Sequence, residues 1–351
     1  MDTNLELAKI LGHQEFAKTF NQTMLEKSTL IKSGIAVPDP VISAKIAEGS
    51  GLEGKTLDMD SLDSLDNAGD AEVPVEKTGV NAEGVTSTRD TAVVQFRRKK
   101  FAVTDIQRIM RSADPYGQII SQQVPYWDKQ NQKIFLAMMT GIFGANALKA
   151  RVSTAGDSDP ENSTKGYKNG CDGDMILDLT KAASDSAKFI DKSSIMLAAQ
   201  ILGDHKNDLA GVAMHSSVAT YLSQLDGNNN TFYKPSELGN LAKYNGRDII
   251  EDDTIPVDEN GVATIYLFGK GCVAYNPLPC PHPFELERDA DKAVDYIHAW
   301  VREILHLRGW MWQGTMSGLA PTNQELATAA SWKRVWDKKR IPCVMLKGKI
   351  A

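Results

Sequence analysis

The chain has few of the features that would tie it to a secreted, membrane-bound or nucleic-acid-gripping protein. Its cysteines are Cys171, Cys272, Cys280 and Cys343, at spacings that match no disulfide framework. In a chain of 351 residues they read as free thiols in a reducing cytoplasm. No run approaches the ~18 apolar residues of a membrane-spanning helix, so none is expected. The opening Met1-Asp2-Thr3-Asn4-Leu5-Glu6 has neither the basic nor the apolar region of a signal peptide, so none is expected there either. Excess positive charge is also missing. Lys and Arg number 39 against 45 Asp and Glu, a formal net charge of −6. That argues against a protein whose main task is neutralising phosphates, but not against one that encloses nucleic acid. What is present is an ordinary globular balance, 42% hydrophobic and 24% charged, in a length that suits two or three domain-sized units.

The organising stretch is 97–148. It opens on Arg97-Arg98-Lys99-Lys100-Phe101-Ala102-Val103-Thr104-Asp105 and continues into a long helix with apolar residues at Ile120, Val124, Trp127, Phe135, Met138 and Ile142. Asp114 and Pro115 stand where an N-cap and a first-turn proline belong. Carried to Leu148 the helix is roughly 50 Å long at 1.5 Å per residue. Pro125 inside it should kink it or start it afresh near Tyr126.

Before this beam, residues 5–32 carry an amphipathic helical pattern (Leu7, Ile10, Leu11, Phe16, Phe20), an arm that packs on a neighbour or folds back on its own body. Pro38-Asp39-Pro40 ends it. An acidic stretch follows, with Asp58, Asp60, Asp63, Asp66, Asp70 and Glu72, and strand-like alternation returns at Thr91–Phe96. Out along an acidic limb and back along a basic-ended strand describes a long two-stranded loop. An isolated hairpin is marginal in water, so the loop needs a partner surface. Its opposite charges suit contacts between copies, with Arg97, Arg98, Lys99, Lys100, Asp58, Asp60 and Asp63 as the candidate residues.

After the beam, 153–173 reads as a surface loop and 176–202 as helical. Leu209–Met214 is a short buried strand, and Ser216 and Ser217 cap the helix that follows it. Strands at 246–250 and 262–268 flank an Asn260-Gly261 hairpin turn. Pro277, Pro279, Pro281 and Pro283 forbid regular structure. Residues 294–311 alternate as one long strand returning beside the helix, with Ile297, Ala299, Val301, Leu305 and Leu307 on one face. A basic tail with Trp332 and Trp336 closes the chain.

Site motifs fare poorly. Gly49-Ser50-Gly51-Leu52-Glu53-Gly54-Lys55-Thr56 matches a P-loop, which would make the chain a nucleotide hydrolase. That chemistry needs a buried strand before the loop and a helix after it. Here the preceding piece is short and charged, and Asp58 and Asp60 stand where phosphate would sit, so a Gly-rich bend is the better reading. Asp226–Glu237 approximates a calcium loop but has Thr231 where the turn wants glycine. His298 and His306 lie about 26 Å apart along a strand at ~3.3 Å per residue, too far for one metal. His215-Ser216-Ser217 lacks a nucleophile elbow. No catalytic, cofactor or metal site is expected.

The order of these parts resembles the major capsid protein of tailed bacteriophages, the Hong Kong 97-type fold. Three pieces carry the resemblance: Thr86–Asp105 running into Asp114-Pro115 and Tyr126-Trp127; Gly211–Val218 with Tyr221-Leu222; and Gly246–Asp253 with Tyr266–Gly271 and Glu287–Ala290. The resemblance implies an α+β fold with an N-terminal arm (1–47), an extended two-stranded E-loop (48–100), a peripheral domain with a long spine helix (101–211 and 289–351) and an axial domain (212–288). It also implies a non-enzymatic subunit that assembles as pentamers and hexamers into an icosahedral shell around double-stranded DNA. Such a subunit is made in the host cytoplasm, ends in the virion, and works with a scaffolding protein, a portal and in some members a decoration protein. An encapsulin-like nanocompartment shares the fold and is the alternative.

Overall fold

The structure is a computed structural model and describes residues 34–49, 54–62, 87–106, 115–151, 167, 169–191, 193–226, 232–233, 243–244, 246–280 and 282–350. The expected arm helix, Asp63 with the rest of the acidic limb to residue 86, the Asp114 cap and most of the calcium-like loop lie outside the described residues. In chain order the elements are β1 (Ala36–Val37), α1 (Pro40–Ala47), β2 (Thr56–Leu62), β3 (Ser87–Thr104), α2 (Pro115–Ala147), β4 (Ile176–Asp178), α3 (Ser194–Ala199), β5 (Leu209–Met214) and α4 (Ser216–Asp226). They continue as β6 (Phe232–Tyr233), β7 (Lys243–Tyr244), β8 (Arg247–Glu251), β9 (Val262–Gly269), β10 (Val273–Pro277), β11 (Phe284–Asp289), β12 (Val294–Leu307), β13 (Trp310–Trp312), α5 (Asn323–Leu326), β14 (Trp332–Arg334) and β15 (Cys343–Lys349).

The beam is α2, 33 residues long. Its helical spacing brings Trp127, Ile134, Phe135, Met138, Met139, Ile142 and Phe143 onto one buried side. The helix runs unbroken through Pro125 and does not restart at Tyr126. Pro125 is exposed, so the turn that loses its N–H bond borders water, where the freed carbonyl can be solvated. Near its other end α2 meets the C-terminal segment very closely. A Cβ on Gly141 would lie 2.0 Å from the Leu326 carbonyl oxygen and 2.6 Å from Trp332 Nε1. That indole already donates to the same carbonyl at 2.7 Å. Gly141→Ala is therefore expected to lower the unfolding free energy by more than about 2 kcal/mol. Gly144→Ala, whose Cβ would meet Ala329 Cβ at 3.3 Å, serves as the near-neutral control in urea titrations.

Two sheets flank this helix. One is ordered β1-β10-β12-β3-β2, with β11 also on β12. The other is ordered β4-β15-β9-β5-β8-β7-β6, and β13 and β14 pair separately. The largest core joins α2 to both: Phe135 packs against Phe268 and Phe143 against Tyr266 of β9, while Val273, Tyr275, Leu305 and Leu307 of the first sheet belong to the same cluster. A second core lies between α3, α4 and the β5–β9–β15 strands. The expected long strand is β12, antiparallel to β3 over Val294–Ile304 and Val94–Thr104.

The sequence reading needs correction at four places. Residues 176–202 are not one helix: Ile176–Asp178 pairs with β15, and Asp178 and Asp191 accept from the N–H groups of Thr180, Ser193 and Ser194, which ends helix growth in short turns. Helix α4 is capped by His215, whose Nδ1 accepts from Ser217 N–H at 3.1 Å, rather than by Ser216 or Ser217. Strands β8 and β9 are not a hairpin, because β5 sits between them; the Asn260-Gly261 turn instead closes Val257 onto Ala263, with Gly261 at φ +71°. The tail, read from sequence as basic and tryptophan-bearing with no strand, ends in one: Cys343–Lys349 lies between β4 and β9. Among the described residues no helix is long and apolar enough to cross a membrane.

Candidate functional site

The singular feature is the root of the two-stranded loop. Strands β2 and β3 pair antiparallel from Thr56↔Val93 to Leu62↔Ser87, and β3 then continues without interruption into the sheet. Alternation puts Leu57 and Met59 of β2 and Ala92 and Val94 of β3 in one buried cluster with Ile42 of α1, Ala274, Leu278 and Ile304. The root is therefore held by its own body, which answers the expectation that a bare hairpin needs a partner surface. Helix α1 is fixed at its start by Asp39, which accepts from Val41 N–H at 2.7 Å.

A buried charge network clamps the same place. Asp90 of β3 and His306 of β12 are both fully buried, with Asp90 Oδ1 2.9 Å from His306 Nε2. Asp90 Oδ2 accepts from Gly309 N–H at 3.1 Å and lies 3.8 Å from Arg308, which also reaches Asp39 at 3.4 Å. Burial alone would push the Asp90 carboxyl up, but His306, the Gly309 N–H and Arg308 outweigh it and hold it below the ordinary value. One carboxylate thus ties the returning limb of the loop to the end of β12 and, through Arg308, to the cap of α1.

The acidic limb finds its counter-charge inside the hairpin. Arg89, which the sequence reading passed over, lies 3.5 Å from Asp58 and 3.2 Å from Asp60, and Thr91 donates to Asp58 at 2.7 Å. The charged groups are about half exposed or more, so each ion pair contributes at most about 1 kcal/mol. The basic run lies beyond the hairpin, in the middle of β3. Arg97 donates to Asn323 at 3.2 Å; burial lowers its pKa against the opposing charges of Glu303 and Glu325. Lys100 pairs with Glu287 at 3.0 Å and stands 3.7 Å above the Tyr296 ring. Arg98 lies over Trp300 at 5.4 Å, and neither Arg98 nor Lys99 has a carboxylate partner among the described residues. An open pocket of about 390 Å³ is lined by Arg98, Lys99, Lys100, His298 and Trp300. The structure therefore keeps Arg97–Lys100 together but does not join them to Asp58 or Asp60 of the same copy.

Under α2 sits a second buried acid. Glu303 of β12 is 2% exposed and accepts from Tyr275 Oη at 3.0 Å and Asn131 Nδ2 at 3.2 Å. Burial pushes its carboxyl up to about 7 in spite of those donors and Arg97. Period-2 alternation placed both acids on apolar faces: Asp90 with Ala92 and Val94, Glu303 with Val301 and Leu305. That was the sequence signal for them.

The P-loop match has the wrong surroundings. Helix α1 precedes it and strand β2 begins at Thr56, the reverse of what phosphate binding needs. Lys55 Nζ is occupied by the Gly318 carbonyl at 2.8 Å.

The family described as Gp13-like, major capsid protein 13-like, has a model that matches residues 168–345. The major capsid protein of Bacillus phage SPP1 is 29% identical over 337 residues, covering 93% of this chain and 93% of that protein. Among solved structures, the capsid of Ralstonia phage GP4 is similar at a TM-score of 0.52 and 11% identity over 86% of each chain, a likeness of fold. The SrpI encapsulin of Synechococcus elongatus reaches 0.44 at 10% identity, over 76% of this chain and 78% of that one.

Proposed function

Because the chain belongs to the major capsid protein 13-like family, we propose that its copies assemble as pentamers and hexamers into an icosahedral shell that encloses double-stranded DNA. The chain is a bacteriophage major capsid protein, a structural component of the virion, with the α+β Hong Kong 97-type fold. In this reading residues 1–47 are the arm, 48–100 the E-loop, 101–211 with 289–351 the peripheral domain, and 212–288 the axial domain. The subunit has no catalytic role, and a scaffolding protein, a portal and a decoration protein are its further partners.

The observation that carries the assembly reading is the loop root. A two-stranded extension is rigidly anchored by Asp90, His306 and Arg308, while the cations next to it, Arg98 and Lys99, stand exposed with no carboxylate partner among the described residues. In this reading the acidic limb of one copy, with Asp63 beyond the Asp58 and Asp60 that Arg89 already pairs, faces Arg98 and Lys99 of the next, while Arg97 and Lys100 are engaged by Asn323 and Glu287 of their own chain.

Arg98→Glu with Lys99→Glu tests the contact. The doubly substituted subunit is expected to keep the wild-type circular dichroism spectrum and unfolding midpoint, but to lose at least 90% of fast-sedimenting shells. Shells at wild-type yield would remove these residues from the interface. Extracting nucleic acid from purified native particles separates a phage shell, which yields double-stranded DNA, from an encapsulin-like one, which yields protein cargo.

A further inference from the structure

We propose that the outer edge of β3 between Phe96 and Ala102 is a strand-addition site, filled in the shell by the acidic stretch of a second copy paired as an extra strand. The inference rests on the shell reading and says how the contact is made: by backbone hydrogen bonds, with charge selecting the partner.

The direction of the backbone groups follows from a few bonds. Asp105 N–H donates to Ala293, Trp300 N–H to Pro283, and Leu278 N–H to Arg302. The last two fix even-numbered residues of β12 as facing β10 and β11, so its odd-numbered residues bond to β3. By the register Val301↔Arg97 and Ala299↔Lys99, odd-numbered residues of β3 face β12. Even-numbered residues therefore face the other edge, and Val94 N–H donating to the Lys55 carbonyl at 2.9 Å shows β2 on that edge. Strand β2 begins at Thr56, opposite Val93. Beyond it, the N–H and C=O groups of Phe96, Arg98, Lys100 and Ala102 point outward with no strand against them among the described residues. Arg98, Lys99, Lys100 and Ala102 are all exposed. A bare edge of this length is a template for another chain.

The side chains say which chain. Arg98 and Lys100 project on one face and Arg97 and Lys99 on the other, so any added strand runs between cations on both sides. Like charges repel a second β3, which protects the edge from pairing with itself. An acidic strand is attracted instead. Residues 63–72 carry Asp63, Asp66, Asp70 and Glu72 with no Lys or Arg among them. The same copy's segment is poorly placed to return. Leu62 pairs with Ser87, so the chain leaves β2 about 36 Å from Arg98 along the strand, at ~3.3 Å per residue, and is heading away. A second copy meets no such constraint.

Hydrogen exchange on the unmodified protein tests the edge directly. In the unassembled subunit the amides of Arg97 and Lys99 are expected to be protected by β12, and those of Arg98 and Lys100 to exchange fast. In assembled shells Arg98 and Lys100 should slow at least 100-fold. Exchange at both sites as fast in shells as in free subunits would overturn the proposal and leave the shell reading standing; failure of the unmodified chain to form shells when made together with its scaffolding protein would instead overturn that reading. Arg98→Pro removes the guanidinium together with the outward N–H and is expected to cut shell yield at least ten-fold, whereas Arg98→Ala, which removes the guanidinium but keeps the N–H, should cut it less. Equal yields from the two would also overturn it. For the partner's identity, shells grown from mixed ¹⁴N and ¹⁵N subunits and treated with a carbodiimide should give mixed-isotope cross-links from Lys99 or Lys100 to residues 63–72. Mixed-isotope cross-links exclusively to carboxylates elsewhere would overturn the assignment of the acidic stretch.

Discussion

Replacing Asp90 with alanine is expected to remove about 3–5 kcal/mol from the stability of the unassembled subunit, the usual cost of taking one partner from a buried ion pair. Three groups lose their acceptor at once. His306 stays fully buried with its Nε2 facing nothing, the Gly309 N–H loses its bond, and Arg308 loses one of its two carboxylates, keeping Asp39. Asp90→Asn is expected to cost less, since the amide oxygen can still accept one of these bonds. The two variants and the wild type are compared by urea unfolding, and a loss under 1 kcal/mol for Asp90→Ala would show that the network carries little weight. The pH dependence has a definite sign. Because the folded-state pKa of Asp90 lies below its ordinary 3.8, its contribution is present above that value and is lost as pH falls through the lower, folded-state value. Acid should therefore loosen the loop root.

Glu303 works in the opposite sense. Its carboxyl is raised from an ordinary 4.5 to about 7, so the folded subunit holds a proton that the unfolded chain releases earlier. Stability from this group is complete below about 4.5, falls as pH rises towards 7, and is level beyond. At 1.36 kcal/mol per unit, the whole span is worth roughly 3 kcal/mol. Glu303→Gln keeps an oxygen for Tyr275 and Asn131 and supplies a permanent N–H donor. The buried Gln95 Oε1, which has no hydrogen-bond partner among the described residues, belongs to the residue directly across from Glu303 on β3 and is the natural acceptor. The variant is therefore expected to be more stable than wild type at pH 8 by about 2–3 kcal/mol, and to match it at pH 4.5. Unfolding midpoints at the two pH values decide the matter. A difference between the proteins that does not change with pH would sink the assignment.

How much was legible beforehand depends on the range of the interactions. Helix α2 and strand β12 could be read because their periods persist over many residues and depend on their own sequence. The turn at Asn260-Gly261 was also readable, but its partners were not: that β5 inserts between β8 and β9 is decided by long-range pairing that no local pattern encodes. Residues 176–202 misled because their apolar spacing suits a helix, while Asp178 and Asp191 offer the backbone a competing local bond. The basic run was visible as charge. That it lies mid-strand, with one edge taken by β12 and the other bare, required the register. Asp90 and Glu303 stood in plain view on apolar faces, yet their burial depends on α2 and on residues 306–309, far along the chain.

The continuity of β3 has a mechanical consequence. A pull on the loop directed along its strands travels down β3 and meets the bonds to β12, from Val94↔Ile304 to Thr104↔Val294, lying crosswise to the force. Bonds so arranged are loaded together, in shear, and must fail as a group; a hairpin joined through a flexible hinge would peel open one rung at a time. A shell whose neighbours tug on these loops, as when its contents press outward, would meet that tension with the full length of an antiparallel ladder inside each subunit.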